Sequence, residues 1–284
     1  MRNFFVITNA LKDKDFIVTD QIVSYFSENG CPCAVWKGSG QSGAGYHYTD
    51  PQAVPENTDC VIVLGGDGTL LEASRDLVKK NLPLLGINLG NLGFLAEVDK
   101  RSVYPALDKL IHDQFEIEDR FMVTGSVIRD NAVLKEDVAL NDIVITRDGA
   151  LHVACFKNFV NGEFLNSYHA DGIILSTPTG STGYSLSAGG PIVSPNASMI
   201  IMTPVAPHTM NSRSIVFPAE DVISVEIGEG RHGTTEHCTV TFDGASECAV
   251  QTGDRIVVRR AGTTVRIIKI SHLNFIEVLR QKMQ

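Results

Sequence analysis

Short apolar runs separated by glycine-rich turns fill the first part of the chain, with helical periods between them. Residues 3–8 read as a β-rich strand. Over 16–27, Phe16, Ile17, Ile22, Val23 and Phe26 fall near helical spacing. Residues 34–37 predict a second strand, and 38–57, rich in Gly, Ser, Pro and Tyr without a period, predict a mobile loop. Residues 60–64 form an apolar strand pattern, followed by Gly-Gly-Asp-Gly-Thr and a helix-like run over 70–80. Another buried strand is expected over 84–88, before a second glycine-rich turn. Strand, glycine turn, helix, strand is the grammar of a parallel βαβ sheet.

Beyond about residue 116 the helical periods nearly vanish. Short β-branched runs replace them at 122–129, 137–146, 152–160, 163–167 and 172–176, then at 199–203, 214–217, 222–227, 238–243, 255–260 and 264–270. Asn161-Gly162 is a two-residue hairpin signal. Asp243-Gly244 and Ala261-Gly262 supply further turns. Residues 274–282 read as a helix with Phe275, Ile276, Val278 and Leu279 on its apolar side. The expected fold class is therefore an α/β N-terminal domain followed by a β-rich C-terminal domain, with the boundary near 115/116.

The 284 residues are 43% apolar and 20% charged, enough for a substantial core, so a disordered chain, a fibre or a disulfide miniprotein is excluded. The formal net charge of −9 argues against a broad nucleic-acid groove, so any phosphate must be held by a local arrangement. The six cysteines show no zinc-type spacing, so no metal site is expected from them. No stretch approaches the ~20 apolar residues of a membrane span, and the opening apolar run is too short for a signal peptide, so a cytoplasmic protein without membrane contact is expected.

The chemistry concentrates at Gly65-Gly66-Asp67-Gly68-Thr69, between a strand and a helix. Glycines let backbone approach a ligand closely, and the N–H groups of a helix start favour phosphate oxygens. No Lys-Ser/Thr pair follows, so this is not a Walker-type loop. An acid inside an anion-binding turn repels the anion unless it takes a proton or holds a metal ion. A general base for a hydroxyl attacking a phosphoryl group is one such use; a tight turn with Asp67 capping the helix is the competing reading.

Downstream come Gly86-Ile87-Asn88-Leu89-Gly90-Asn91-Leu92-Gly93-Phe94-Leu95, Leu140-Asn141-Asp142, Asp171-Gly172 through to Pro191 (with Thr177-Pro178-Thr179-Gly180-Ser181-Thr182-Gly183-Tyr184 at its heart), and Pro207-His208-Thr209. Together with the GGDGT turn, these resemble the NAD kinase family in unbroken order from about Asn3 to Ile270. The resemblance implies the two-domain NAD kinase-like fold, with the α/β domain over 1–115 rejoined by the C-terminal helix 271–284 and a β-rich, NAD-binding and oligomerising domain over 116–270. It also implies phosphorylation of the 2′-hydroxyl of the adenosine ribose of NAD to give NADP, with Mg²⁺ carried by the donor nucleotide, in a homodimer or homotetramer.

Family roles carry over position by position. Asp67 is implied as the base and as an NAD contact with Gly68; Gly65, Gly66, Gly68 and Thr69 would surround the donor phosphates. Asn141 and Asp142 would address ribose hydroxyls and a base edge, although the family more often has Glu at the second place. Thr179, Thr182, Gly183, Tyr184, Ser185, Leu186 and Ser187 are implied as NAD contacts, with the Tyr184 ring against adenine and the helix start at 185–188 toward a phosphate. Asp171 belongs to the nicotinamide half, which Ala206 borders. His169 stands where the family often has Arg, and His152 at a variable, often basic position. Glu72 replaces a basic residue common in relatives, with Arg75 one turn on as a substitute, and Ala245 replaces a polar one. A plain Gly/Ser loop and a strand-start turn are the bland readings of 177–191 and Asn141-Asp142.

Two rivals remain at this stage: a lipid kinase of the diacylglycerol or sphingosine type, sharing GGDGT, and a non-catalytic NAD(P)-binding sensor. The residues of 177–191 argue against the first and an intact Asp67 against the second. The donor stays open between ATP, another nucleoside triphosphate and polyphosphate, and the acceptor between NAD and NADH.

Overall fold

The computed structural model describes residues 1–38, 49–90, 93–149, 153–209, 212–271 and 274–283. The expected loop over 38–57 lies partly outside the described residues. In chain order the elements are β1 (Phe4–Thr8), α1 (Ile17–Glu28), β2 (Cys33–Trp36), β3 (Cys60–Gly65), α2 (Asp67–Asp76), β4 (Leu84–Asn88), β5 (Val98–Asp99) and α3 (Val103–Ile111). The strands β6 (Glu116–Arg129), β7 (Ala132–Ala139), β8 (Asp142–Arg147), β9 (Ala154–Val160), β10 (Glu163–Ala170) and β11 (Gly172–Ser176) follow, then the single turn α4 (Tyr184–Ser187). The chain closes with β12 (Met199–Val205), β13 (Ile215–Pro218), β14 (Ile223–Ile227), β15 (His237–Phe242), β16 (Ser246–Gln251), β17 (Arg255–Lys269) and α5 (Phe275–Lys282).

Two compact units emerge: residues 1–120 with 264–284, and residues 121–263. In the first, β2, β1, β3, β4 and the end of β17 lie side by side in that order, all parallel. The strands β1, β3 and β4 are buried throughout, as strands covered on both faces must be. Phe4, Val6, Ile22, Phe26, Leu64, Ile87 and Leu107 meet in one apolar core. The helix α3 is not among the elements expected from the sequence; its buried Val103, Ala106, Leu107 and Leu110 have the spacing of one helical face.

In the second unit, β13, β12, β11, β8, β15 and β16 form an antiparallel six-stranded sheet among the described residues. The strands β10, β9, β14 and the start of β17 form a neighbouring run, also antiparallel. Side chains of both, among them Ile145, Phe156, Ile173, Met202, Val225 and Phe242, share one core. The Asn161-Gly162 hairpin is present, both residues at positive φ (51° and 86°) as a two-residue turn requires.

Two expected elements differ. No turn forms at Ala261-Gly262: β17 runs through it, with Ala261 buried and Gly262 at ordinary φ. The single run expected over 137–146 is broken between β7 and β8, because the Asp243 carboxylate takes the N–H groups of Leu140, Asn141 and Asp142.

Candidate functional site

In the first unit the GGDGT turn follows directly from the wholly buried β3. Gly66, extended at φ −155° and ψ −171°, is the N-cap of α2, and no side chain caps it. Asp67 therefore does not serve its own helix, against the capping alternative. Its carboxylate reaches instead to the loop after β4. Oδ2 accepts the Phe94 N–H at 2.7 Å, and Oδ1 accepts those of Leu95 at 3.2 Å and Ala96 at 3.0 Å. The loop passes so close that a Cβ on Gly93 would overlap the carboxylate. That contact explains a glycine there. A carboxylate offers about four lone-pair sites; three are taken, and the open one is on Oδ2.

Gly65 and Gly66 are buried and Gly68 is exposed, with open space where its Cβ would stand. Thr69 is buried, and its hydroxyl accepts from the Asn9 amide at 3.1 Å. It therefore braces the turn rather than facing outward. Arg75 does not replace the missing base at Glu72, because its guanidinium is drawn to Asp76 at 3.3 Å in a largely buried pair. Burial raises the Glu72 carboxyl above its ordinary range, with Arg75 lowering it and Asp76 adding to the rise.

In the second unit β8 and β11 are adjacent and antiparallel, so Asn141-Asp142 and the chain leaving Ser176 sit at the same end of the strand pair. The two segments are tied together. The Thr177 N–H donates to the Asn141 carbonyl at 2.8 Å, and the Thr177 hydroxyl donates to the Leu140 carbonyl at 2.6 Å. Gly180 packs against the Asn141 backbone so tightly that any Cβ would collide with the carbonyl. A Cβ on Gly183 would stand 3.4 Å from Asn141 Nδ2 and 3.9 Å from Asp142 Oδ2, so both side chains face the start of the Tyr184 turn.

Polar capacity is left over here. Asn141 Oδ1 is buried without a hydrogen-bond partner. Asp142 is buried, and no hydrogen bond reaches its carboxyl oxygens among the described residues. Burial pushes its pKa up to about 7, and the nearby Asp243 charge adds to the rise. Asp243 is the residue that sequence reasoning missed: its Asp-Gly signal marked a turn, but it also accepts three backbone N–H groups at 2.8, 2.8 and 3.1 Å and so fixes Asn141-Asp142.

The implied NAD contacts of 179–187 divide by burial. Tyr184 is 46% and Leu186 39% exposed, Ser187 is exposed, and Thr182 and Gly183 are half-buried. Thr179 is buried, its carbonyl accepting the Thr182 hydroxyl at 3.2 Å. Ser185 is fully buried and its hydroxyl pairs with that of Thr203 at 3.1 Å, so its side chain faces the interior. The turn α4 is a single turn of four residues.

A third cluster joins β10, β11 and β12. The His208 N–H donates to the His169 carbonyl at 2.8 Å and the Asp171 N–H to that of Val205 at 3.0 Å, which gathers His169, Asp171 and Ala206. His169 and Ala206 are exposed, and Ala206 holds φ at +45°, a left-handed conformation that costs a side-chain-bearing residue about 1 kcal/mol. The Asp171 carboxylate accepts from Arg147 Nε at 2.7 Å. Arg147 was also missed, although it ends β8 one step beyond the Thr146–Gly172 register. His152 lies outside the described residues.

The family model of the ATP-NAD kinase N-terminal domain matches residues 6–115, and that of the ATP-NAD kinase C-terminal domain matches 140–270. The chain is 44% identical to the NAD kinase of Lachnospira eligens, over 100% of both proteins. It is 44% identical to that of Agathobacter rectalis, over 100% of this chain and 99% of the relative. Its fold is similar to yeast NADH kinase complexed with NADH, with a TM-score of 0.85, 24% identity, and coverage of 100% of this chain and 87% of that one. An NAD kinase from Archaeoglobus fulgidus in complex with ATP gives a TM-score of 0.76 at 23% identity, over 100% and 97% of the two chains.

Proposed function

The chain belongs to the ATP-NAD kinase family, and we propose that it performs that reaction with Asp67 as the base. The observation that carries the assignment of the base is the cradle of three N–H groups, which fixes the Asp67 carboxylate and leaves one lone pair of Oδ2 free. In the reaction the 2′-oxygen of the adenosine ribose attacks the γ-phosphorus of ATP. The bond from that phosphorus to the bridging oxygen breaks, ADP leaves, and the hydroxyl proton passes to Asp67 Oδ2. The N–H groups at the start of α2 and the exposed backbone at Gly68 receive donor phosphate oxygens.

In the second unit the unspent Asn141 Oδ1 and the bare Asp142 carboxyl accept hydrogen bonds from ribose hydroxyls or from the adenine amino group. The exposed Tyr184 ring covers the base. His169, Asp171 and Ala206 line the nicotinamide side, with Arg147 holding the Asp171 carboxylate in place.

Mg²⁺ belongs to the donor in this reading. The acid of the turn has three of its four lone pairs committed, so the residues there do not build a cation cage. The family resemblance supports a cytoplasmic assembly of two or four copies. No helix among the described residues is long and apolar enough to cross a membrane.

The test is NADP formation by the purified protein from NAD and Mg²⁺ with ATP, and with polyphosphate in its place. Turnover with ATP supports the reading. Tight NAD binding without turnover on either donor overturns it in favour of a sensor.

A further inference from the structure

The GGDGT turn brings no cation of its own, yet one stands over it. The segment between β1 and α1 is locked to the turn through Asn9. The Asn9 N–H donates to the Leu64 carbonyl at 2.9 Å, and its side-chain amide donates to the Thr69 hydroxyl at 3.1 Å. Its own carbonyl accepts the N–H of Lys12 at 3.0 Å and of Asp13 at 2.9 Å, and its Oδ1 accepts that of Leu11 at 3.1 Å. Lys12 is thereby delivered to the turn by a braced loop. Its ammonium lies 2.6 Å from where a Cβ on Gly66 would stand.

That ammonium has no ion pair or hydrogen bond among the described residues. Its neighbour Asp13 cannot neutralise it, being buried and spent on the N–H groups of Val18 (3.0 Å) and Thr19 (2.9 Å) and the Thr19 hydroxyl (2.6 Å). Arg75, the cation in the last turn of α2, is paired with Asp76. An exposed cation beside bare glycine backbone at a helix start has one obvious complement, a polyanion.

We propose that Lys12 binds the phosphate chain of the donor, supplying from the β1–α1 loop the positive charge that the turn itself lacks. The inference deepens the kinase reading and rests on it. An ammonium acts as a compact point charge with rotatable donors, so it can follow the phosphates without a fixed fork. Gly66 is part of the device, because a side chain there would push the ammonium away.

The test compares wild type, Lys12→Met and Lys12→Arg in two measurements: steady-state kinetics with ATP and NAD varied in turn, and calorimetric Mg·ATP binding without NAD. Lys12→Met should raise the KM for ATP at least ~10-fold and weaken Mg·ATP binding similarly, while the KM for NAD stays within about 2-fold. Lys12→Arg should recover most of the loss, and added salt should raise the ATP KM of wild type more steeply than that of Lys12→Met. An unchanged ATP KM in Lys12→Met, or ATP and NAD KM rising together, overturns the role of Lys12. Failure of wild type to make NADP overturns the kinase reading instead, and the binding measurement still decides whether Lys12 holds the nucleotide.

Discussion

Two aspartates sit at corresponding places in the two units, each beside a glycine-bearing loop at the end of a strand, and their surroundings are opposite. Asp67 receives three backbone N–H groups. Asp142 receives none among the described residues; the three N–H groups of its own segment go to Asp243, whose charge also opposes its ionisation. A carboxylate with three of its four lone pairs taken is fixed in direction with one site open, which suits a group that must meet one proton at one place. A bare, buried carboxyl costs stability but keeps its hydrogen-bonding capacity for a ligand. On the proposed function, the difference suits the first aspartate to chemistry and the second to recognition.

The largest expected effect is at the cradled acid: Asp67→Asn should lower kcat about 10³-fold, within the range for losing a general base. Steady-state rates at saturating NAD and ATP check it, and a loss below ~10-fold would move the proton elsewhere. Next is Gly93→Ala, which drives a methyl into the carboxylate without touching its chemistry. Displacing the acid by a fraction of an ångström should cost about 10²-fold in kcat. Activity near wild type would mean that the cradle does not set the geometry.

The bare acid should show itself first in stability. Its folded pKa of about 7 stands above the ordinary value of 3.8. Between these values the folded protein holds a proton that the unfolded chain has lost, so stability falls as pH rises from about 4 to about 7 and stays lower above. The full cost is on the order of 4 kcal/mol. Asp142→Asn removes it, so the variant should melt above wild type at about pH 8, with the advantage shrinking below pH 7 and gone only at about pH 4 or below. Melting curves across this range check it, and a difference independent of pH would contradict the burial argument. The smallest effect is Tyr184→Ala, which should raise the KM for NAD about 3–10-fold with little change in kcat. An unchanged KM would remove the ring from adenine.

Much of the first unit was legible because its signals are local. An apolar strand, three glycines and a helical period place the GGDGT turn within one short segment, and β3 and α2 differ from expectation only at their ends. The partners of Asp67 were not legible as partners. The sequence marks 86–95 as a motif, but only folding shows that Phe94, Leu95 and Ala96 turn their N–H groups to an acid 27 to 29 positions earlier. Asp243 was read as a turn residue, since nothing near it in sequence reveals a bond to backbone about 100 residues away. Lys12 was passed over for the same reason, having no motif around it. The inward turn of the Ser185 hydroxyl was not legible either, since its partner Thr203, itself paired with Ser214, lies 18 positions on.

The most direct test sets Asp67→Asn and Asp142→Asn side by side at about pH 8, above the Asp142 pKa of about 7, and measures kcat and the KM for NAD of each with saturating ATP. The expected result is a split: Asp67→Asn loses about 10³-fold in kcat with the KM within ~3-fold, and Asp142→Asn raises the KM about 10-fold with kcat within ~3-fold. Equal losses of kcat in both variants, or the reverse pattern, would contradict the division of labour between the cradled and the bare aspartate.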